Sequence, residues 1–336
     1  MFDMLKRMVK RGEGFGKPEY RVFQLRDKNP LAGTTKIRKI SAPNEAMEVI
    51  CRVFYGVIRL RLAHHKIQFP YSTAILPGTS PLKNVLRHIG NRYFYLLDIK
   101  DFYLGISGEQ IVPCLLELMP NFAKRSDLAN FLDSYCLSEE KVLRIGAPAS
   151  PDLANIVAAC LLDEPLSALV GKYGMTYSRY LDDLTFSSNF PIGKRKRRAI
   201  RDEILASGFK ISSKKSVYAD IYKKPITITG IGLRDDGKIF LKRSFLKKIL
   251  GLMYLLENDN APVRTNHRNG REIDPANIVK GLVAAFWSTV PAGGRELNAL
   301  EKKIIRKYLL FRVGERERKG KPQKLSQLEK RIRKMV

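Results

Sequence analysis

Two adjacent acids, Asp182 and Asp183, follow Tyr180-Leu181 at the tip of an apolar, β-prone stretch. Met175 to Tyr180 leads in and Leu184 to Ser187 leads out, so the pattern predicts a hairpin with carboxylates at its turn. Carboxylate oxygens on a rigid turn suit hard divalent cations. Two such ions about 4 Å apart can activate an attacking hydroxyl and support a leaving phosphate. The chemistry this suggests is nucleotidyl transfer.

An acidic pair alone discriminates little. Asp235-Asp236-Gly237 is a second pair between apolar stretches, and there Asp and Gly read as a solvated turn. The first pair needs a third carboxylate and a surface for substrate. The elements around it supply a candidate. Tyr93 to Ile99 is strongly β-prone and holds Asp98 near its end, which comes beside the acidic turn if the strands are neighbours. Tyr20 to Leu25 and Lys36 to Ile40 alternate like strands, and residues 45–64 have a helical apolar period. Residues 107–137 are helical in pattern, and Lys141 to Arg144 reads as a short strand. Gly146 to Pro151 is a loop feeding a helix over about 152–170. Lys194 to Ser207 reads as a basic helix, Ile226 to Gly232 as a strand, and helices dominate from 244 onward. The centre is therefore α+β, built on an antiparallel sheet.

The chain has 336 residues and a net charge of +28. Residues 1–97 carry 18 Lys/Arg against 6 Asp/Glu, and residues 236–336 carry 24 against 10. Residues 98–235 are nearly balanced, at 19 against 17. Two basic flanks around a near-neutral centre with an acidic turn fit a polyanion gripped on both sides of a metal site. No run of 18 apolar residues occurs, so no membrane partner is expected, and the start has no secretory pattern. The cysteines, Cys51, Cys114, Cys136 and Cys160, are scattered among apolar residues and read as buried free thiols, consistent with the cytoplasm.

Three segments in order, Asp98-Ile99-Lys100-Asp101-Phe102-Tyr103, Gly146-Ala147-Pro148-Ala149-Ser150-Pro151 through Asn155, and Tyr177 through Ser187, resemble the successive palm motifs of reverse transcriptases. The likeness is nearest to bacterial retron-type enzymes. Asn84-Val85-Leu86-Arg87-His88 is similar to their NAxxH signature and Ile228-Thr229-Gly230 to their VTG signature, over a resemblance spanning roughly residues 20–310. It implies a right-hand polymerase: an N-terminal segment and fingers over 1–97, a palm over 98–235 with a helical insertion at about 105–140, and a basic helical thumb over 236–336. It implies that Asp98, Asp182 and Asp183 hold two Mg²⁺ ions, with Mn²⁺ as an alternative. Tyr103 becomes a steric gate against a ribose 2′-OH, although an aromatic after a strand also serves as core. Gly146, Ala147 and Pro148 pack on nucleotide and template. Lys36 and Arg38 touch the triphosphate or template, and Lys215 donates a proton to pyrophosphate. Asn84, His88, Thr229 and Gly230 become candidate RNA contacts, with a structural hydrogen-bonding role for His88 as the competing reading. The implied partners are dNTPs, a cognate non-coding RNA, its cDNA in a branched RNA–DNA hybrid (msDNA), and a separate effector protein in anti-phage defence.

The chain departs from the family pattern in places. Ile145 stands where Gln is usual before the GAP loop, Leu181 where Ala is usual, Leu76 where Phe is typical and Ser212 where Asn is typical. With the first, the nucleotide contact that Gln makes must come from elsewhere or be missing, and the second is expected to crowd the primer end. Two alternatives remain at this point: another bacterial defence or group II intron-like reverse transcriptase, and a catalytically weak RNA-binding scaffold.

Overall fold

The structure is a computed structural model that describes residues 17–29, 34–258, 264–265, 272–289 and 297–318. Two compact units are resolved: residues 1–229 with 234–237, and residues 230–233 with 238–336.

The first unit opens with β1 (Tyr20–Asn29) and β2 (Thr34–Pro43), an antiparallel pair in continuous register from Tyr20 opposite Pro43. Helix α1 (Glu45–His64) follows, started by Asn44, whose side chain accepts from the Met47 N–H at 2.9 Å. Helix α2 (Pro81–Leu86) is capped by Ser80 with Pro81 in its first turn. Strand β3 (Tyr93–Asp98) leads through a 3₁₀ turn, Tyr103–Gly105, into α3 (Gly108–Leu118) and α4 (Arg125–Tyr135). The single helical region expected over 107–137 is thus two helices. Pro120, between them, has no N–H to continue the first. The strand expected at 141–144 is reduced to isolated bridges, Val142 to Ser107 and Leu143 to Leu137.

Helix α5 (Ser150–Ala158), a π-helical turn (Ala159–Asp163) and α6 (Glu164–Lys172) run on as one rod. By length and composition this rod could cross a bilayer. It is instead the central core helix: Leu153, Ala154, Ile156, Val157, Leu162 and Leu166 are fully buried, and it carries buried Asp152, Asn155 and Asp163. Strands β4 (Thr176–Tyr180) and β5 (Asp183–Ser188) form the expected hairpin. Helix α7 (Lys194–Ala206), a 3₁₀ turn (Ser213–Lys215), β6 (Val217–Asp220) and β7 (Ile226–Ile228) complete the unit. Strands β4, β5, β3 and β6, in that order, make a four-stranded antiparallel sheet.

The second unit holds the β8 (Ile231–Leu233) and β9 (Ile239–Leu241) pair and helices α8 (Arg243–Glu257), α9 (Pro275–Ser288) and α10 (Ala299–Arg318). Phe286 and Trp287 are buried in α9, as packing demands of its apolar face. The charged tail beyond 318 lies outside the described residues.

Candidate active site

The antiparallel register sets the site. Asp98, the last residue of β3, lies directly opposite Asp183, the first of β5. The Ile99 N–H donates to the Asp182 carbonyl at 2.9 Å, so the ladder continues past both acids. Directly paired residues share one face of a sheet, so Asp98 and Asp183 project together. The hairpin turns tightly because Leu181 takes a left-handed φ of +56°. That conformation is costly for a residue with a Cβ and marks stored strain beside the acids.

The charges are unbalanced. Burial, then the Asp182 and Asp98 carboxylates, push Asp183 up to about 6, while Lys215 pulls it back in part. The Lys215 ammonium pairs with the Asp98 carboxylate. Burial alone would lower Lys215, but that bond and the charges of Asp98, Asp182 and Asp183 outweigh it and raise it. Tyr103 is half-buried in its 3₁₀ turn. Burial, then the carboxylates of Asp182 and Asp152, push its phenol up to about 12, so it stays neutral.

Among the described residues, no three metal-ligating side chains stand already gathered into a cage. The donor set nonetheless fits divalent ions. It is all oxygen and hard, it carries excess negative charge, and a lysine cation already answers part of that charge at Asp98. Asp98, Asp182 and Asp183 are the residues that would hold the ions.

The Gly146 loop closes against β2. The Ser41 N–H donates to the Ile145 carbonyl at 2.8 Å, and a Cβ on Gly146 would lie 2.9 Å from the Ser41 carbonyl oxygen. Gly146 also has a φ of +99°, so both space and backbone require glycine. Ala147 is buried and Pro148 half-buried. Arg38 is exposed on β2, while the Lys36 side chain lies outside the described residues.

The hairpin is anchored from behind. Arg179 is fully buried and donates to both Asp163 oxygens at 2.8 and 2.7 Å, to the Asn155 side-chain oxygen at 3.0 Å, and to the Leu181 carbonyl at 3.4 Å. The Tyr177 hydroxyl also donates to Asp163, at 2.8 Å. The π turn carrying Asp163 brings it under the strand. Neither Arg179 nor Asp163 stood out in the sequence. The available signal was charge on a strand whose other residues are core-facing.

Asn84 and His88 are both fully enclosed, which at His88 favours the structural hydrogen-bonding role over an RNA contact. His88 lies 2.7 Å from Ser178 and 2.7 Å from Ser187. Ser178 donates to the Asn84 oxygen at 2.5 Å, and Ser187 accepts from Asn91 at 2.9 Å. This pattern assigns the proton to His88 Nε2, donating to Ser178, with Nδ1 accepting from Ser187. Burial, then Arg87, hold the imidazole down near 3, so it is neutral. Thr229 and Gly230 both have positive φ, +46° and +85°, the backbone of a two-residue turn. The second acidic pair, Asp235-Asp236, lies in an exposed turn closed by the Gly237 N–H on the Arg234 carbonyl at 3.1 Å.

Residues 26–233 match the family model described as "Reverse transcriptase (RNA-dependent DNA polymerase)". The chain is 26% identical over 296 residues to the Retron Ec83 reverse transcriptase of Escherichia coli, covering 84% of this chain and 86% of that one. It is 26% identical to the Retron Mx162 reverse transcriptase of Myxococcus xanthus, covering 78% of this chain and 57% of that one. Among solved structures, it superposes on telomerase from Candida albicans in complex with a fragment of telomeric RNA. The TM-score is 0.51 at 12% identity, over 88% of this chain and 58% of that one. That likeness shows the fold, an α+β right-hand polymerase.

Proposed function

The chain belongs to the reverse transcriptase family of RNA-dependent DNA polymerases, and from that premise we propose that Asp98, Asp182 and Asp183 are its polymerase centre, working as a retron enzyme. The observation that carries this is the register: Asp98 and Asp183 are directly paired across the sheet, and the Asp182 carboxylate, on the adjoining turn, is close enough to help push Asp183 up. Two Mg²⁺ ions, or Mn²⁺, when bound supply activation of the primer hydroxyl and neutralisation of the departing pyrophosphate.

The chain's own residues do the rest. Asp98 at the end of β3, and Asp182 and Asp183 at the adjoining β4–β5 turn, present the carboxylates. Tyr103, neutral and close enough to feel the Asp182 charge, lies beneath the sugar of the incoming dNTP and excludes a 2′-OH. Lys215, already charged beside Asp98, holds a proton for pyrophosphate. The Gly146-Ala147-Pro148 loop, tied to β2 through Ser41, aligns nucleotide and template with Arg38 and Lys36. Positioning supplies the catalysis, with no protein nucleophile. Residues 1–97 act as N-terminal segment and fingers, 98–235 as palm, and 236–336 as thumb. Thr229 and Gly230 contact the primer–template strand at the palm's end.

The similarity to retron reverse transcriptases supports a finer reading. The enzyme copies a cognate non-coding RNA into msDNA, primed from an RNA 2′-OH, in the cytoplasm, alongside a separate effector in anti-phage defence. The test is to isolate the nucleic acid that co-purifies with the protein from its native host. DNA joined to RNA through a branch is expected. DNA-free RNA from an enzyme that copies templates in vitro would overturn the retron reading.

A further inference from the structure

Among the described residues, the side chain of Arg197 on α7 is held by aromatic rings alone. Its guanidinium carbon lies 4.4 Å from the Tyr218 ring centroid and 5.9 Å from that of Tyr95. It makes no ion pair or hydrogen bond among the described residues, and its Nε is enclosed without an acceptor. Buried guanidinium donors ordinarily find partners, so this side chain is pre-oriented with its donors unspent.

The surroundings extend the feature. Lys194, Arg197 and Arg201 recur at i, i+3 and i+7, one stripe of α7. Arg197 fixes where that stripe faces, at the edge of the sheet beside β6. Lys194 is exposed, as are Tyr222, Lys223 and Lys224 just beyond β6. Lys194 and Arg201 make no ion pair among the described residues. Arg198, by contrast, reaches Asp202 only at 3.7 Å, both exposed. Arg92 sits 4.6 Å from the Tyr222 ring centroid, so a second guanidinium–tyrosine stack lies further along the same edge.

This strip is not the catalytic face. Along β3, Tyr93 and Tyr95 project to one side and Asp98 to the other, because side chains alternate. Tyr218 is paired with Tyr95, and Asp183 with Asp98. Arg197 and the Tyr95 and Tyr218 rings it stacks on therefore lie on the opposite face of the sheet from the carboxylates.

We propose that Lys194, Arg197, Arg201, Tyr222 and Lys223 form a second nucleic-acid surface on the rear of the palm, which grips unpaired RNA outside the template cleft. Phosphates meet the unspent cations, and an unstacked base meets the exposed Tyr222 ring. RNA is the occupant because the family copies an RNA template, and the strip's cations complement the phosphates of a strand held outside the cleft. The inference rests on the polymerase reading.

The test measures affinity of the full chain for a single-stranded RNA of about 40 nucleotides against salt, for wild type and Lys194→Ser/Arg197→Ser/Arg201→Ser. The variant should bind about tenfold or more weakly, with a salt slope shallower by about 2. Its DNA synthesis on a short poly(rA)/oligo(dT) duplex should be unchanged. Unaltered RNA affinity and slope would overturn the proposal, as would equal loss on the short duplex, or wild-type preference for single-stranded DNA of the same sequence. Should the variant fold poorly, acetylation of wild-type lysines decides. RNA should protect Lys194 and Lys223, and their full labelling in the RNA complex would overturn the proposal. A wild type that binds RNA but makes no DNA would sink the polymerase reading while leaving these binding outcomes interpretable.

Discussion

At the scale of single residues, the carboxylate cluster carries an electrostatic cost. The folded-state value of Asp183 is raised from 3.8 to about 6 by burial and by Asp182 and Asp98. A carboxyl raised in the folded state adds stability below its unfolded value, and that stability is lost as pH rises through the folded value. In EDTA, wild type should therefore lose stability between about pH 4 and pH 6 relative to Asp183→Asn. At pH 7 Asp183→Asn should melt about 2–6 °C higher while making no DNA. Calorimetry across that pH range checks this, and identical profiles for the two proteins would contradict it. Tyr103 makes a different prediction. Tyr103→Val removes the ring but keeps an apolar side chain, so ribonucleotide incorporation should rise about tenfold or more relative to deoxynucleotide incorporation. Unchanged discrimination in single-nucleotide extension would reduce Tyr103 to packing against Phe102, its ring neighbour at 5.6 Å.

At the scale of elements, the acidic hairpin depends on what lies beneath it. Arg179 and Asp163 form a buried pair that ties β4 to the π turn and reaches the Leu181 carbonyl. Removing one partner strands the other charge, at a cost of about 3–5 kcal/mol. Arg179→Met and Asp163→Asn should each destabilise the protein strongly, and the double variant should cost less than their sum by about 1 kcal/mol or more. Denaturant unfolding of the four proteins measures this coupling, and strict additivity would contradict it. This anchor also marks where sequence reading stopped. The β3 strand, the hairpin, helix α1 and basic helix α7 were legible, because period and turn chemistry are local signals. The partners of Arg179 were not, since Asp163 and Asn155 come from a helix whose composition reads as plain core. For His88 the signature was visible, but its meaning depended on burial. Only the fold shows that its enclosed ring lies between Ser178 of β4 and Ser187 of β5.

At the scale of the whole molecule, charge and fold agree on a polyanion-handling enzyme. The basic flanks were plain in composition, and the antiparallel sheet with its acidic end was plain in pattern. The crossing of residues 230–233 into the second unit was not, because Thr229 and Gly230 occupy a turn that resembles any other in sequence. The departures at Ile145 and Leu181 become easier to understand in three dimensions. Ile145 contributes its carbonyl to the β2 contact, which any residue supplies, and Leu181 packs its side chain against the core while its backbone makes the turn. Neither removes a carboxylate. The central claim is that Asp98, Asp182 and Asp183 together make this chain a polymerase. The most direct measurement is RNA-templated extension of a DNA primer by wild type and Asp182→Asn, at equal protein and saturating Mg²⁺ and dNTPs. Wild type should extend the primer, and Asp182→Asn should be slower by about a thousandfold or more while binding template–primer as tightly. Undiminished DNA synthesis by Asp182→Asn would place the polymerase centre elsewhere.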